Sequence, residues 1–273
     1  TNRVVLGFQA GIKENNLKSA LKNKNFGLYK LDILDFDKLK TVFNKEKIDV
    51  VVHLAARAGV RPSIADPLLY SQVNVLGTVN LLKVAVDFKV KKFIFGSSSS
   101  VYGNSKKVPF TENDPCQNII SPYAASKRAA EFWVETFYRT YGLKSIVLRF
   151  FTVYGPRGRI DMAPSIFTKA ILSGEDIVIF GDGNTSRDYT FIDDIIRGVV
   201  RAIDSDIDFQ IINLGNNKPV KLKHYVKHIE KVTGKKAKVK HISKQAGDVD
   251  DTWADVTSAN NILKWHASTD IRE

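Results

Sequence analysis

Tyr123 and Lys127 are spaced as Tyr-x-x-x-Lys in Tyr123-Ala124-Ala125-Ser126-Lys127, and upstream of them runs Ser97-Ser98-Ser99-Ser100-Val101-Tyr102-Gly103. On a helix, positions i and i+4 share a face, so the phenol and the ammonium would point the same way. A cation beside a phenol lowers its pKa towards the range where a phenolate can act as a base. A serine hydroxyl from a neighbouring strand end would complete a set suited to proton-coupled hydride transfer. By itself the Tyr/Lys spacing is weak, because a helix rich in Tyr, Lys and Ala meets it by chance. The Ser-rich element shifts the reading from an ordinary helix face to chemistry.

Such a site needs a strand to carry the serines and a helix to carry the Tyr/Lys pair, and the chain alternates the two. Apolar runs predict strands at 27–33, 50–54, 92–97, 145–150 and 210–214. Amphipathic stretches predict helices near 12–24, 36–46, 70–88, 122–141, 163–172, 191–203, 222–233 and 256–263. That alternation predicts an α/β fold, a Rossmann-like doubly wound parallel sheet with a smaller C-terminal α/β substrate-binding domain. Turn-rich segments at 155–159, 181–186 and 215–219 read as rim loops. Ligands of open α/β sheets bind outside the carboxyl ends of the strands, so these loops and the Ser97-to-Gly103 element should face one cleft.

Composition fits an enzyme of this size and adds a few exclusions. The 273 residues, 44% of them hydrophobic, can bury a sizeable core. Cys116 is the single cysteine, which excludes an intrachain disulfide and favours a reducing compartment; we expect a cytoplasmic location. No apolar run reaches about 18 residues and no signal-peptide pattern is found, so no membrane partner is expected for this segment. The net charge of +12 invites a nucleic-acid reading. The lysines, among them Lys18, Lys22, Lys24, Lys227, Lys231 and Lys235, are scattered without interleaved aromatics or a binding motif, so a solvated basic surface is expected, with no nucleic-acid partner. A mild attraction for a polyanionic small substrate follows.

From about Ile12 to Trp265 the chain resembles the extended short-chain dehydrogenase/reductases of the NAD-dependent epimerase/dehydratase family, and among them most the UDP-glucuronate 4-epimerases. The resemblance rests on ordered segments: Leu31-Asp32-Ile33, Val52-His53-Leu54-Ala55-Ala56, the Ser-rich Val-Tyr-Gly element, the Tyr/Lys pair, Arg149-Phe150-Phe151-Thr152-Val153-Tyr154-Gly155-Pro156-Arg157, Phe180-Gly181-Asp182-Gly183, Arg187-Asp188-Tyr189 and Gly247-Asp248. It implies an NAD-binding domain over 1–153 and 187–214, a nucleotide-sugar domain over 154–186 and 215–273, and a homodimer. It also implies NAD as cofactor, with Asp32 and Ile33 at the adenine and Leu54, Ala55 and Ala56 letting backbone approach the pyrophosphate and ribose. Asn74, Ser97, Tyr123, Lys127 and Phe150 would lie towards the ribose and nicotinamide. Read without the family, Leu54, Ala55 and Ala56 could equally be a packed strand end and Asn74 a helix-surface residue.

One part of the pattern is missing. A glycine-rich turn between a first strand and first helix normally presents backbone amides to the pyrophosphate. Here Gly7-Phe8-Gln9-Ala10-Gly11 follows Val4-Val5-Leu6 with the wrong spacing. We expect a chain lacking that element, which would hold NAD less well than one carrying it. No metal site is expected.

For the substrate, the resemblance places Arg187 on the phosphates of a UDP-sugar and Asp248 on the uridine ribose, with Gln245 where many relatives have a second arginine. The bland alternative for Arg187-Asp188 is a surface ion pair. Trp253 reads equally well as core or as pocket. Relatives that dehydrate or decarboxylate carry an acid just before Val-Tyr-Gly, whereas this chain has Ser99-Ser100. That leaves reversible oxidation at C4 as an isomerase: Tyr123 as base, Ser98 steadying the developing charge, and Lys127 assisting. Ser98, Ser99, Ser100, Tyr123, Thr152 and Arg159 are expected around the sugar, the last two as in the glucuronate-type members. The signature departs at Ile160, where proline is common. A UDP-glucose 4-epimerase or another epimerase/dehydratase, a non-catalytic nucleotide-sugar-binding relative and a basic nucleic-acid-binding Rossmann protein stay open as alternatives.

Overall fold

The computed structural model describes residues 10–243 and 249–272. In chain order these form α1 (Ala10–Leu17), α2 (Phe36–Lys45), β1 (Val50–His53), α3 (Val60–Ala65), α4 (Pro67–Tyr70), α5 (Gly77–Asp87), β2 (Lys92–Ser98), α6 (Pro122–Tyr141), β3 (Ser145–Phe150), β4 (Thr152–Tyr154), α7 (Ala163–Ser173), β5 (Asp176–Phe180), β6 (Ser186–Phe191), α8 (Ile192–Asp204), β7 (Phe209–Leu214), β8 (Pro219–Lys221), α9 (Leu222–Thr233), β9 (Lys238–Ile242) and α10 (Thr257–Leu263). The main sheet is all parallel in the order β1-β2-β3-β7.

Helices cover both faces of that sheet, which is why its strands are apolar on both sides. Phe93, Phe95 and Val147 point into a cluster with Leu39 and Phe43 of α2, Leu81 and Leu82 of α5, and Val134 and Phe137 of α6. Their neighbours Ile94, Ile146 and Leu148 point the other way, to Ile195 and Val199 of α8 and to Ala259, Leu263 and Trp265 at the end of the chain. Successive side chains of a strand alternate faces, so a strand packed on both must be apolar at every step. A third cluster joins Phe167 and Ile171 of α7, Ile177 and Ile179 of β5, Tyr189 of β6, and Tyr225 and Ile229 of α9 into a smaller lobe. Residues 254–265 return from that side and pack on the main sheet.

Helix α6 begins and ends where local chemistry dictates. Ser121 caps it, its Oγ accepting from the Ala124 N–H at 3.2 Å, Pro122 occupies the first turn, and Gly142 closes it in the left-handed conformation. The predicted helix 70–88 is interrupted by a π turn over Ser71–Leu76 that joins α4 to α5.

The predicted strand at 27–33 does not form. Residues 27–30 are exposed and pair with no neighbouring strand among the described residues, where β1 is the last strand on that side of the sheet. β-propensity needs a hydrogen-bonded partner to become a strand. The predicted helix 12–24 likewise shortens to α1 plus a 3-10 turn at Ala20–Lys22. Short strands β4, β5, β6, β8 and β9 were not expected from the sequence pattern, being three to six residues long.

One buried ion network ties these layers together. Arg149, fully buried on β3, donates Nε and Nη2 to the two oxygens of Glu131 on α6 at 2.9 and 2.8 Å. Ser97 of β2 donates to the same carboxylate at 2.5 Å, and Arg128 donates at 2.8 Å. Burial works to raise the Glu131 pKa, but Arg149, Ser97 and Arg128 outweigh it and hold the carboxyl below its ordinary value. We expect Glu131→Gln to destabilise the fold by about 3–5 kcal/mol, because it strands a buried guanidinium. The paired replacement Glu131→Leu with Arg149→Met should cost markedly less, and chemical denaturation of the three proteins measures both.

Candidate active site

A cavity of about 870 Å³ opens beyond the carboxyl ends of β2 and β3, between the main sheet and the smaller lobe. Of the residues singled out from the sequence, Ser97, Ser98, Ser99, Ser100, Tyr123, Phe150, Thr152, Arg159 and Arg187 line it. Asp32, Ile33, Leu54, Ala55, Ala56 and Asn74 lie outside its walls. Asp248, with Gln245 and Gly247, falls outside the described residues.

Strand β2 delivers the serines and then turns sharply. Ser98 Oγ accepts from the Ser100 N–H at 3.2 Å and starts a 3-10 turn over Ser99–Tyr102. Gly103 leaves that turn at φ +60°, and a Cβ there would sit 1.6 Å from the Asn118 carbonyl oxygen, so only glycine fits. The turn is anchored by Tyr102, which stacks on Phe110, donates to Asn213 at 2.7 Å and lies under the Arg149 guanidinium.

Tyr123 enters from the first turn of α6 and meets Ser98. Burial raises the Tyr123 pKa above that of an ordinary phenol; hydrogen bonding with Ser98 and the Arg159 charge act against that rise. Lys127 does not supply the lowering charge that the sequence spacing predicts. Its ammonium turns down to the Gly96 carbonyl at 2.7 Å and over the Phe95 ring at 4.8 Å. The cation facing the phenol is instead Arg159, from the loop after β4. Burial pulls Lys127 down to about 8, with Glu131, one turn on, pushing the other way.

Several expected side chains are already committed to the protein. The Asn74 amide accepts from the Arg57 N–H at 2.7 Å and donates to the Arg57 carbonyl and to Ser126 Oγ, clamping the 57–58 segment to α6 from within the π turn. Ser97 gives its hydroxyl to Glu131. Neither carries a spare side-chain donor towards a ribose. Asp32 accepts from the Leu34 N–H at 3.0 Å, and Ile33 is buried against Gly77. Leu54 is half-exposed beyond β1. His53, just before it, is kept neutral by burial and by the Lys127 charge, its pKa pushed down to about 3.

Arg187 sits on the far wall and donates to the carbonyls of Ser186, Asp250 and Val249. Asp188 does not form a surface ion pair: it is fully buried and accepts from the backbone N–H groups of Asn216, Asn217 and Ala254. Burial raises its pKa against those hydrogen bonds. Trp253 bonds Asn217 Oδ1 at 2.6 Å rather than entering the cavity wall. Two residues that the sequence reading missed matter here. Glu131 had a signal, an acid on the same face as Lys127 of a buried helix; Asp161, which pairs with Arg159 in a loop, had none.

The sequence pattern of the NAD dependent epimerase/dehydratase family matches residues 3–215. A UDP-glucuronate 4-epimerase of Thermodesulfobacterium geofontis is 42% identical over 267 residues, 97% of this chain and 82% of that protein. The crystal structure of the UDP-glucuronic acid 4-epimerase of Bacillus cereus, in complex with UDP-glucuronic acid and NAD, superposes with a TM-score of 0.92 at 34% identity, covering 97% of this chain and 84% of that one. The UDP-glucose 4-epimerase of Thermotoga maritima, with UDP-glucose, gives 0.87 at 33% identity over 92% and 82%.

Lys127 generates a stability prediction whose sign is fixed. Below about pH 8 it is charged in both folded and unfolded chains, and its burial cost is felt in full. Above that pH the unfolded chain still binds a proton that the fold has released, so stability rises towards the ordinary lysine range. The advantage in thermal midpoint of Lys127→Met over the parent should therefore shrink as pH is raised from 7 to about 10. A difference that stays constant across that range would contradict the depressed titration.

Proposed function

Because the chain belongs to the NAD dependent epimerase/dehydratase family, we propose that it is an isomerase that interconverts UDP-glucuronate and UDP-galacturonate by NAD-dependent epimerisation at C4. The observation that carries this reading is the convergence of Ser98, Tyr123, Thr152 and Arg159 on one cavity, with hydroxyls and no acid at the end of β2.

The residues present fit the ribose and nicotinamide side of NAD. Lys127 spends one of its three donors on Gly96 and keeps two for ribose hydroxyls. A Cβ at Gly96 would lie 2.7 Å from Leu54 and 3.0 Å from Phe150, so glycine lets β2 and the ends of β1 and β3 close up there. Asp32, Ile33, Leu54, Ala55 and Ala56 would hold the adenosine half, with Asn74 and Ser97 supporting through the backbone they fix. Bound NAD supplies a reversible hydride acceptor, so no net oxidation accompanies the reaction.

The protein's own work is proton transfer, charge stabilisation and orientation. Tyr123 takes the proton of the sugar 4-hydroxyl and returns it to the same oxygen once the configuration at C4 has been inverted, with Ser98 donating to the oxygen on which charge develops. Arg159 favours the phenolate through space, and its loop, with Ser99, Ser100 and Thr152, supplies donors for a carboxylate on C5. A desolvated carboxylate needs such partners. Arg187 and Asp248 are assigned to the diphosphate and uridine ribose. Residues 154–186 and 215–273 are read as the nucleotide-sugar domain, with 1–153 and 187–214 as the NAD-binding domain; a cytoplasmic homodimer belongs to the same reading.

Two experiments test it. Tyr123→Phe should reduce turnover by at least about a hundredfold while nucleotide-sugar binding stays close to the parent, since general acid–base catalysis typically contributes that much. Steady-state rates with a binding titration decide the point, and turnover within threefold of the parent would sink the assignment. For the substrate, kcat/KM should favour the uronate pair over UDP-glucose and UDP-galactose, with Thr152→Asn and Arg159→Ala eroding that preference. Equal turnover of both pairs would overturn the uronate reading and leave the epimerase mechanism standing.

A further inference from the structure

The guanidinium of Arg159 offers two hydrogen-bonding edges, and one of them is taken inside the protein. Nε donates to Asp161 Oδ1 at 2.9 Å, and Nη2 donates to Oδ2 of the same carboxylate. That is the side-on fork of a planar cation whose five donors are fixed in one plane. The opposite edge, made by Nη1 and the second hydrogen of Nη2, takes no hydrogen bond among the described residues. Both side chains line the cavity and each is about a third exposed.

The surroundings fix where that second edge can go. Nη2 lies close to Gly59, where an added Cβ would be 3.6 Å from it, and φ there is +109°, so this wall is backbone without a side chain. Tyr70 and Tyr123 stand in edge-to-face contact at 6.3 Å, both close enough to feel the Arg159 charge. A freely rotating arginine on a loop of this kind would be held by solvent and would lose side-chain entropy on meeting a ligand. Asp161, two residues on in the same loop, removes that freedom beforehand.

We propose that Asp161 is a positioning residue for acidic-sugar recognition: by holding the side-on edge of Arg159 it presents the end-on edge to the C5 carboxylate of the substrate. The inference rests on the uronate reading of the cavity. It makes Asp161 a determinant of specificity that never touches substrate. An acid beside a carboxylate-binding arginine looks counterproductive, since it offsets the positive charge. The gain is orientational, because a bidentate contact needs both N–H vectors aligned and a loop arginine alone supplies only the charge.

The experiment is a double-mutant cycle with Asp161→Ala, Arg159→Ala and the double variant, together with Asp161→Asn, read as separate kcat and KM on UDP-glucuronate and UDP-glucose. Asp161→Ala should raise KM for UDP-glucuronate about tenfold, as expected for one misaligned charge-assisted contact, and leave kcat within about threefold. KM for UDP-glucose should not change. Asp161→Asn, which keeps an acceptor for the Arg159 fork, should recover part of the loss. In the Arg159→Ala background Asp161→Ala should add nothing, because its effect passes through the arginine. Equal KM increases for both sugars, or an undiminished effect in the Arg159→Ala background, would make Asp161 a merely structural residue and overturn the proposal. If Arg159→Ala leaves the UDP-glucuronate KM unchanged, the uronate reading through Arg159 fails instead. If Arg159→Ala raises it and Asp161→Ala does not, only the positioning role falls.

Discussion

The Glu131–Arg149 pair is the interaction on which the active-site geometry depends. It joins the buried face of α6 to β3 and, through Ser97, to the end of β2, so the helix that carries Tyr123 and Lys127 cannot shift against the strand that carries Ser98. A buried ion pair is weak evidence of net stability, since desolvation offsets much of its attraction. Its directional hydrogen bonds, however, fix register between elements in a way that apolar packing of Phe95 or Val134 does not. Catalytic groups placed by hydrogen bonding tolerate little displacement, and this network sits one helical turn beyond Lys127.

A second buried acid performs the same kind of service on the other wall. Asp188 has no cationic partner at its carboxylate among the described residues; it gathers three backbone N–H groups from the 216–217 turn and from Ala254. Arg187 beside it grips the carbonyls of Val249 and Asp250. Together they stitch the returning segment 249–254 onto β6, and that segment then leads into Trp265, buried against α8 and donating to the Asp194 carbonyl. The segment that returns from the smaller lobe is thus tied both to β6 and to α8.

Two of the cations around Tyr123, Lys127 and Arg159, stand in different environments. Lys127 follows Tyr123 by one helical turn, its pKa pulled down to about 8 by burial, and is committed to a strand carbonyl. Arg159 remains cationic at any working pH because a guanidinium does not release its proton in this range. A phenol raised by burial needs such a permanent charge nearby if it is to give up its proton at neutral pH.

Much of this was legible in the sequence because it is local or periodic. The predicted helix 122–141 coincides with α6, the two-faced apolar strands followed from their composition, and the serine run and Tyr123 pointed to residues that line the cavity. What the sequence could not determine is anything that depends on a partner distant along the chain. The stretch 27–33 has strand-like residues but no neighbour to pair with among the described residues, so propensity failed there. Lys127 shares a helix face with Tyr123, yet the Gly96 carbonyl takes its ammonium, and the charge that acts against the rise in the Tyr123 pKa is that of Arg159, thirty-six residues on. Asn74 and Ser97 read as ligand contacts by position, and the fold used their hydrogen bonds to join its own segments. Residue type and spacing settle which groups are available for chemistry; burial and the geometry of unlike partners brought together by folding decide which of them is left free to perform it.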